Sequence, residues 1–326
     1  MTRLAGLRLR ISPLLITIGE NVLMYSVATG IIWYEFRGIS FRSQLNDLAN
    51  ARLKWFIPAS LGSFLIWFLG ENFLFARIFT AFHRRTGYFE LLPATAAVYF
   101  LQTINIFIAD GALMVFLHQR KQVPWFDAGF TMAFLGFIDG ILFSAMIALG
   151  GYLVPDSPVH AFAPYSAGAF VLFILIAGWW LWREPRTGFE RWIYQRPSLT
   201  AFREATLPAY CEFLFIRFCI LAPQGILLWI CLRAFNLPLD WKHVIVLSPA
   251  ILAVGGVPIT PAGLGPMQAV AVTTFSKFAN KSKVMAAMLA FSLSHILYRL
   301  PLGIGAAHTF IRHVIRTGGR EDNSEI

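Results

Sequence analysis

Charged and titratable side chains stand inside long apolar runs at Glu20, Glu71, Asp110, Asp139, Glu212, Arg217, His295 and Arg299. A charged side chain at the centre of a bilayer costs about 2.5–3.5 kcal/mol on insertion scales, so each is a functional candidate. Two uses are open to them: pairing with one another to hold helices together, or meeting a charged group of a substrate. For Glu20 and Glu71 the two readings stand level. Glu212 and Arg217 are five apart, so they point to different faces of a helix and are expected to find separate partners. His295 and Arg299 are four apart and share a face. Two potential cations on one face want an anion, either a buried carboxylate or a lipid phosphate. A guanidinium suits the second because it forks onto phosphate oxygens. His295 reads first as a hydrogen-bonded packing residue.

The backbone offers a second tool. Pro249, Pro258, Pro261 and Pro266 fall in one short stretch together with Gly255, Gly256, Gly263 and Gly265. Each proline removes a donor and clashes with the preceding turn, so a straight helix is not expected to pass through. Irregular backbone at membrane depth survives only when buried in protein or lining a wet cavity. Freed amides near Gly263, Leu264 and Gly265, at the start of the next half-helix, would form an anion-attracting end. The competing use is a plain structural break that lets helices approach closely. Residues 91–117 carry Gln102, Thr103, Asn105, Asp110 and Gly111 in their middle and are expected to break too.

These residues need elements to position them, and composition says which kind. Of the 326 residues 57% are hydrophobic and only 13% charged, with a mean hydropathy of +0.62. A soluble domain is about 45–50% apolar and about 25% charged. That excludes a soluble enzyme, a disordered chain and a nucleic-acid-binding module. The net charge of +10 lies between apolar runs and not along one stripe, so the expected partners are membrane lipids and not nucleic acid. Apolar stretches run near 11–33, 56–80, 91–117, 129–154, 161–182, 209–235, 243–276 and 284–311. Crossing about 30 Å of hydrocarbon takes about 20 such residues. Trp33, Trp55, Trp125, Trp179, Trp180, Trp182 and Trp241 sit at segment ends, where an aromatic belt belongs.

The first run follows Arg3, Arg8 and Arg10, contains Glu20 and Asn21 and ends in no small-x-small site, so it reads as a retained span. Residues 183–206, with Phe189, Arg191, Trp192, Tyr194 and Arg196, read as an amphipathic stretch in the interface. Cys211, Cys219 and Cys231 are odd in number and lack CxxC spacing, which argues against disulfides and zinc and for buried packing thiols. No metal or cofactor is expected. With no HExxH, P-loop or nucleophile elbow, neither is an enzyme.

Charge placement sets the topology. With all eight segments crossing and a cytoplasmic N-terminus, the loop carrying Arg183, Arg186, Arg191, Arg196 and Arg203 falls outside, against the positive-inside bias. If 91–117 and 243–276 enter and leave on one side, those arginines join Arg84, Arg85, Arg120, Lys121, Arg312, Arg316 and Arg320 in the cytoplasm. Arg37, Arg42, Arg52 and Lys54 then sit outside. The expectation is an all-α polytopic membrane protein with about six full crossings and two broken or re-entrant segments, the alternative being eight plain helices. One membrane domain would span 1–314, in halves of about 1–155 and 156–314, with 315–326 a polar cytoplasmic tail. Each half reads span, span, re-entrant hairpin, span from opposite sides of the bilayer, the pattern of an inverted-topology repeat.

The stretch Val257-Pro258-Ile259-Thr260-Pro261-Ala262-Gly263-Leu264-Gly265 resembles the Pro-Ile-Ser-Pro-Gly-Gly-Leu-Gly signature of the lysylphosphatidylglycerol synthase transmembrane-region family, also called flippase-like. Ser294-His295-Ile296-Leu297-Tyr298-Arg299, Arg77 and Phe137-Ile138-Asp139-Gly140-Ile141 extend the likeness. Ala262 stands where the family commonly has a second glycine, Gln268 where it has a glutamate, and Phe137 and Ile138 where an arginine often precedes the acidic residue. The resemblance implies lipid handling, with substrate contacts at Pro258, Pro261, Gly263, Leu264, Gly265, Gln268, His295, Arg299, Asp139 and Glu71. The expected function is translocation or handling of an anionic, glycosylated or isoprenoid lipid in a bacterial inner membrane, with both termini cytoplasmic. The alternative is a non-transporting membrane partner of a lipid or hopanoid biosynthetic enzyme.

Overall fold

In hydrocarbon a chain must satisfy its backbone donors and acceptors within itself, and apolar runs of this length do so as helices. The computed structural model describes residues 41–103, 106–182, 187–188, 191, 196–256 and 265–321. Among them are α1 (Phe41–Ala49), α2 (Leu53–Phe82), α3 (Tyr88–Leu101), α4 (Ile106–Lys121), α5 (Trp125–Leu153) and α6 (Ala163–Trp182). Then follow α7 (Thr200–Glu204), α8 (Leu207–Ala234), α9 (Trp241–Gly255), α10 (Pro266–Phe275) and α11 (Lys281–Glu321). No strand occurs among the described residues. Five helical segments are long and apolar enough to cross a membrane: Leu53–Phe82, Trp125–Leu153, Pro158–Trp182, Leu207–Ala234 and Lys281–Ala306. The chain is an all-α polytopic membrane protein. The expected first span, 11–33, and Phe189, Trp192 and Tyr194 of the interfacial stretch lie outside the described residues.

The two segments expected to break do break. At about 1.5 Å per residue, α3 with 14 residues and α9 with 15 reach only about 21–23 Å, short of about 30 Å of hydrocarbon. Both segments turn back. Lys121 Nζ, at the end of α4, donates to Glu90 Oε2 at 2.7 Å and to the Arg85 carbonyl at 2.9 Å, at the start of α3. His243, at the start of α9, stacks on Phe278, just past α10, with ring centroids 5.1 Å apart. The hairpins enter from opposite ends of the bundle, because the helices that precede them are antiparallel. At one end of the α2–α8 seam the Arg52 amide donates to the Ala234 carbonyl at 2.8 Å. At the other, Phe82 packs on Phe213 with centroids 5.8 Å apart.

One boundary differs from the sequence expectation. Pro249 lies buried within α9, and the helix continues to Gly255 before it stops. A proline costs one backbone bond and a local clash. The packed faces of α5 and α8 offset that loss here, so the break falls later, between Gly255 and Pro266. Pro266 itself begins α10, where its missing N–H would have had no partner in any case.

Each hairpin builds the core of its own end. Leu91, Ala94, Val98, Leu113 and Leu117 pack with Leu74, Phe79, Phe134 and Phe213 at one end. Leu247, Ile251, Ala271 and Phe275 pack with Leu228, Leu232, Val284 and Met288 at the other. A small aromatic cluster of Phe64, Phe68, Ala96, Tyr99 and Ala306 lies between them. There α11 presses on α3 so closely that a Cβ on Gly303 would stand 2.2 Å from Phe100 Cβ. One expectation needs correction. Cys231 is a buried thiol, but Cys211 and Cys219 are exposed on the outer face of α8, where hydrocarbon accepts a thiol without any packing pocket.

Candidate functional site

Three polar bridges join α2 to α8 along their antiparallel seam. Ser63 Oγ donates to Gln224 Oε1, Arg217 Nη1 to Glu71 Oε1, and Arg77 Nε to Glu212 Oε1, the last at 2.8 Å. The outer pair, Arg77 and Glu212, is nearly half exposed. The middle bridge is sealed, with the Arg217 and Glu71 side chains 7% and 11% exposed. Their depth follows from the helices. Arg217 lies near the middle of α8, Glu71 near the middle of α2, and each faces the other helix across the seam.

Asp139, at the centre of α5, completes the group. Arg217 Nε donates to Asp139 Oδ1 and Nη2 to Oδ2 at 2.6 Å, a two-pronged pair with a third bond left for Glu71. The guanidinium also stands 5.8 Å from the centroid of the Trp67 ring. A planar fork can hold two carboxylates in fixed directions, which an ammonium cannot. Taking such a pair from water costs several kcal/mol per ion, recovered only when the geometry is good and the remaining donors are used. Here Nε, Nη1 and Nη2 all have carboxylate partners. The result ties three helices from both halves of the chain at the middle of the bundle.

The helix that carries Glu71, α2, also packs on α3 and α11. A second set of polar groups, Tyr99 on α3 with His295 and Arg299 on α11, stands across that packing. There the groups are unpaired. Arg299 has no carboxylate within ion-pair distance among the described residues, and its guanidinium sits 5.3 Å from the Tyr99 ring centroid. Arg299 Nε, His295 Nε2 and Tyr99 Oη are sealed from solvent without a hydrogen-bond partner. Aromatic rings hold the pieces in place: His295 lies against Phe64 and Phe291, with centroids 5.8 and 4.4 Å away, and Tyr99 against Phe68 at 5.2 Å.

Of the proline–glycine block, Pro258, Pro261, Gly263 and Leu264 lie outside the described residues. Gly265 has φ of 95°, a conformation that favours glycine. Its amide, expected to be free for an anion, instead donates to Gln268 Oε1 at 2.7 Å. Gln268 Nε2 in turn donates to Ser292 Oγ at 2.8 Å. Gln268, expected as a substrate contact, thus caps α10 and pins the second hairpin to α11. Ser292 and Arg299 are seven residues apart on that helix, about 10 Å along its axis. The tips of both hairpins therefore meet α11 within about two turns.

The structure brings Glu71 and Asp139 together and His295 with Arg299, and it gives Glu212 and Arg217 separate partners, as their spacing requires. It packs His295 against Phe64 and Phe291 but gives its Nε2 no hydrogen bond. Glu20 lies outside the described residues. The residues that organise the site without being expected as substrate contacts are Arg217, Trp67 and Tyr99. For Arg217 a signal exists, since an arginine deep in an apolar run demands an acid. A tyrosine in an apolar helix carries no such signal.

The sequence pattern described as the lysylphosphatidylglycerol synthase TM region matches residues 21–303. None of the curated proteins compared with the chain matches it.

Proposed function

The chain belongs to the family of lysylphosphatidylglycerol synthase transmembrane regions, and from that premise we propose that it is a lipid flippase-like translocator. In this reading an anionic, glycosylated or isoprenoid lipid passes its headgroup through the bundle while its tails stay in the bilayer. No covalent bond is made or broken. The observation that carries the proposal is the paired group of Asp139, Arg217 and Glu71 together with the unpaired Arg299. Such a polar array is expensive inside hydrocarbon, and its unpaired end points to a substrate path. It also lies between two hairpins that enter from opposite ends, an arrangement that suits access from either leaflet in turn.

The arginines support an orientation. Arg84, Arg85, Arg120 and Arg203 share the end of the bundle where the first hairpin enters, and the positive-inside bias favours the cytoplasm of a bacterial inner membrane for that end.

The test is purified protein reconstituted into phosphatidylcholine vesicles with a trace of headgroup-labelled fluorescent phosphatidylglycerol. Dithionite, added outside, bleaches only the outer leaflet unless lipid crosses. Bleaching beyond the outer-leaflet fraction is expected with the wild-type chain and not with Arg217→Ala. Vesicles that bleach no further than empty ones, with this and with a polyprenyl phosphate probe, reject translocation and leave the role of membrane partner to an enzyme.

A further inference from the structure

Building on the translocator reading, we infer that Tyr99, His295 and Arg299 form a seat for a phosphate oxyanion, the phosphate of a phospholipid headgroup. Three independent features of the site converge on that ligand.

The first is the concentration of unmet hydrogen bonds. Among the described residues the sealed side-chain atoms without a partner are Tyr99 Oη, His295 Nε2, Arg299 Nε and the distant Tyr210 Oη. Three of them belong to one neighbourhood of α3 and α11: Arg299 stands over the Tyr99 ring, His295 lies one turn before it, and Phe64 touches the rings of both Tyr99 and His295. Each costs about 1–3 kcal/mol when left unmade. The polar side chains around them are satisfied. Asn72 Nδ2 donates to the Tyr88 carbonyl, and Asn72 Oδ1 accepts from the Thr95 hydroxyl. On α11 the Tyr298 hydroxyl bonds that of Ser60 at 2.9 Å. The shortfall is thus local.

The second feature is charge. Arg299 is a partly buried cation without a bonded carboxylate among the described residues, and Glu71 is already held by Arg217. The Tyr99 ring face offsets part of the cost, because a cation over an aromatic ring is attracted to its negative face. A phosphate oxyanion would supply the rest. Its oxygens can accept from the Arg299 Nε–H, from the Tyr99 hydroxyl and from the His295 Nε2–H tautomer.

The third feature points to a lipid as the source. Leu293, Leu297, Leu300 and Ile304 of α11, on the turns around the seat, are exposed. A headgroup held by Arg299 could therefore leave its acyl chains against this apolar face, where a free phosphate would gain nothing.

The experiment measures thermal unfolding of the full chain in detergent, with three probes: dihexanoylphosphatidylglycerol, dihexanoylglycerol and sodium phosphate. The phospholipid should raise the unfolding temperature saturably and the phosphate-free glycerolipid should not. Arg299→Gln should weaken the phospholipid about tenfold or more, Arg299→Lys by less, and Tyr99→Phe by a few-fold. Without ligand, Arg299→Gln should unfold at the same temperature or higher, since a partly buried, unpaired charge is gone. A structural counter-ion would give the opposite shift. Equal affinity for sodium phosphate would overturn the lipid as source and keep the oxyanion. Unchanged phospholipid affinity in Arg299→Gln would overturn the seat. The two proposals fail separately: lipid binding without bleaching rejects translocation alone, and bleaching with binding indifferent to Arg299 rejects the seat alone.

Discussion

Arg217 is buried and Arg299 partly buried, both in apolar helices, yet their surroundings give them opposite roles. Arg217 donates to carboxylates on α2 and α5 through three nitrogens, so its charge is answered within the protein. Removing one side of a buried pair strands the other and costs about 3–5 kcal/mol. Arg217→Ala is therefore expected to unfold at a clearly lower temperature or denaturant concentration in detergent. Asp139→Asn in the same chain should recover part of that loss, by removing one stranded charge. If the single and double variants are equally stable, the pair is not coupled. Arg77 gives the internal comparison. Its bond to Glu212 is nearly half exposed, and such pairs contribute at most about 1 kcal/mol. Arg77→Ala should change stability far less than Arg217→Ala.

At the scale of elements, the hairpins are held by contacts too tight for any larger residue. Gly303 lets α11 lie on Phe100 of α3, next to the Tyr99 ring that carries Arg299. Gly303→Leu must push the two helices apart, with overpacking of this kind costing about 1–3 kcal/mol. Lower thermal stability is expected, together with weaker phospholipid protection, because Tyr99 and Arg299 no longer face each other. Gly305, two residues on, meets nothing within 4 Å, and Gly305→Ala should be neutral or slightly stabilising in the same unfolding assay. A loss at Gly305 as large as that at Gly303 would mean that the α3 contact does not govern this stretch.

For the whole molecule, the opposed hairpins make a topological prediction that needs no knowledge of substrate. Arg84 and Arg120 flank the base of the first hairpin, and Lys242 and Lys277 the base of the second. All four are exposed. Single cysteines at these positions, with the native cysteines replaced by alanine, should label as two pairs from opposite faces of the membrane. Labelling of 84 and 120 from different faces would mean that the first hairpin crosses, and the eight-helix alternative would return. The reciprocal packing strengthens the case for two related halves, since α11 of the second half lies on α3 of the first, while Val246 of α9 lies against Gly150 of α5.

Much of this architecture is written in the chain itself. Apolar runs longer than a bilayer is thick, and the charges between them, set the helices and the ends at which they turn, because hydrocarbon permits little else. The two broken segments are legible too, since polar residues in the middle of 91–117 and the prolines and glycines from Pro249 to Pro266 mark where an apolar run is interrupted. What the sequence leaves open is pairing. Arg217 lies 146 residues from Glu71 and 78 from Asp139, and no periodicity links positions on three separate helices. The roles of Gln268 and Gly265 are likewise hidden, because a side chain three residues along can take up the amide that the sequence offers to an anion. Only the tertiary structure could show that one arginine, Arg217, is answered and the other, Arg299, is not. That difference depends on which helices touch, and helix contacts in a bilayer are decided by close packing between distant segments and not by local pattern.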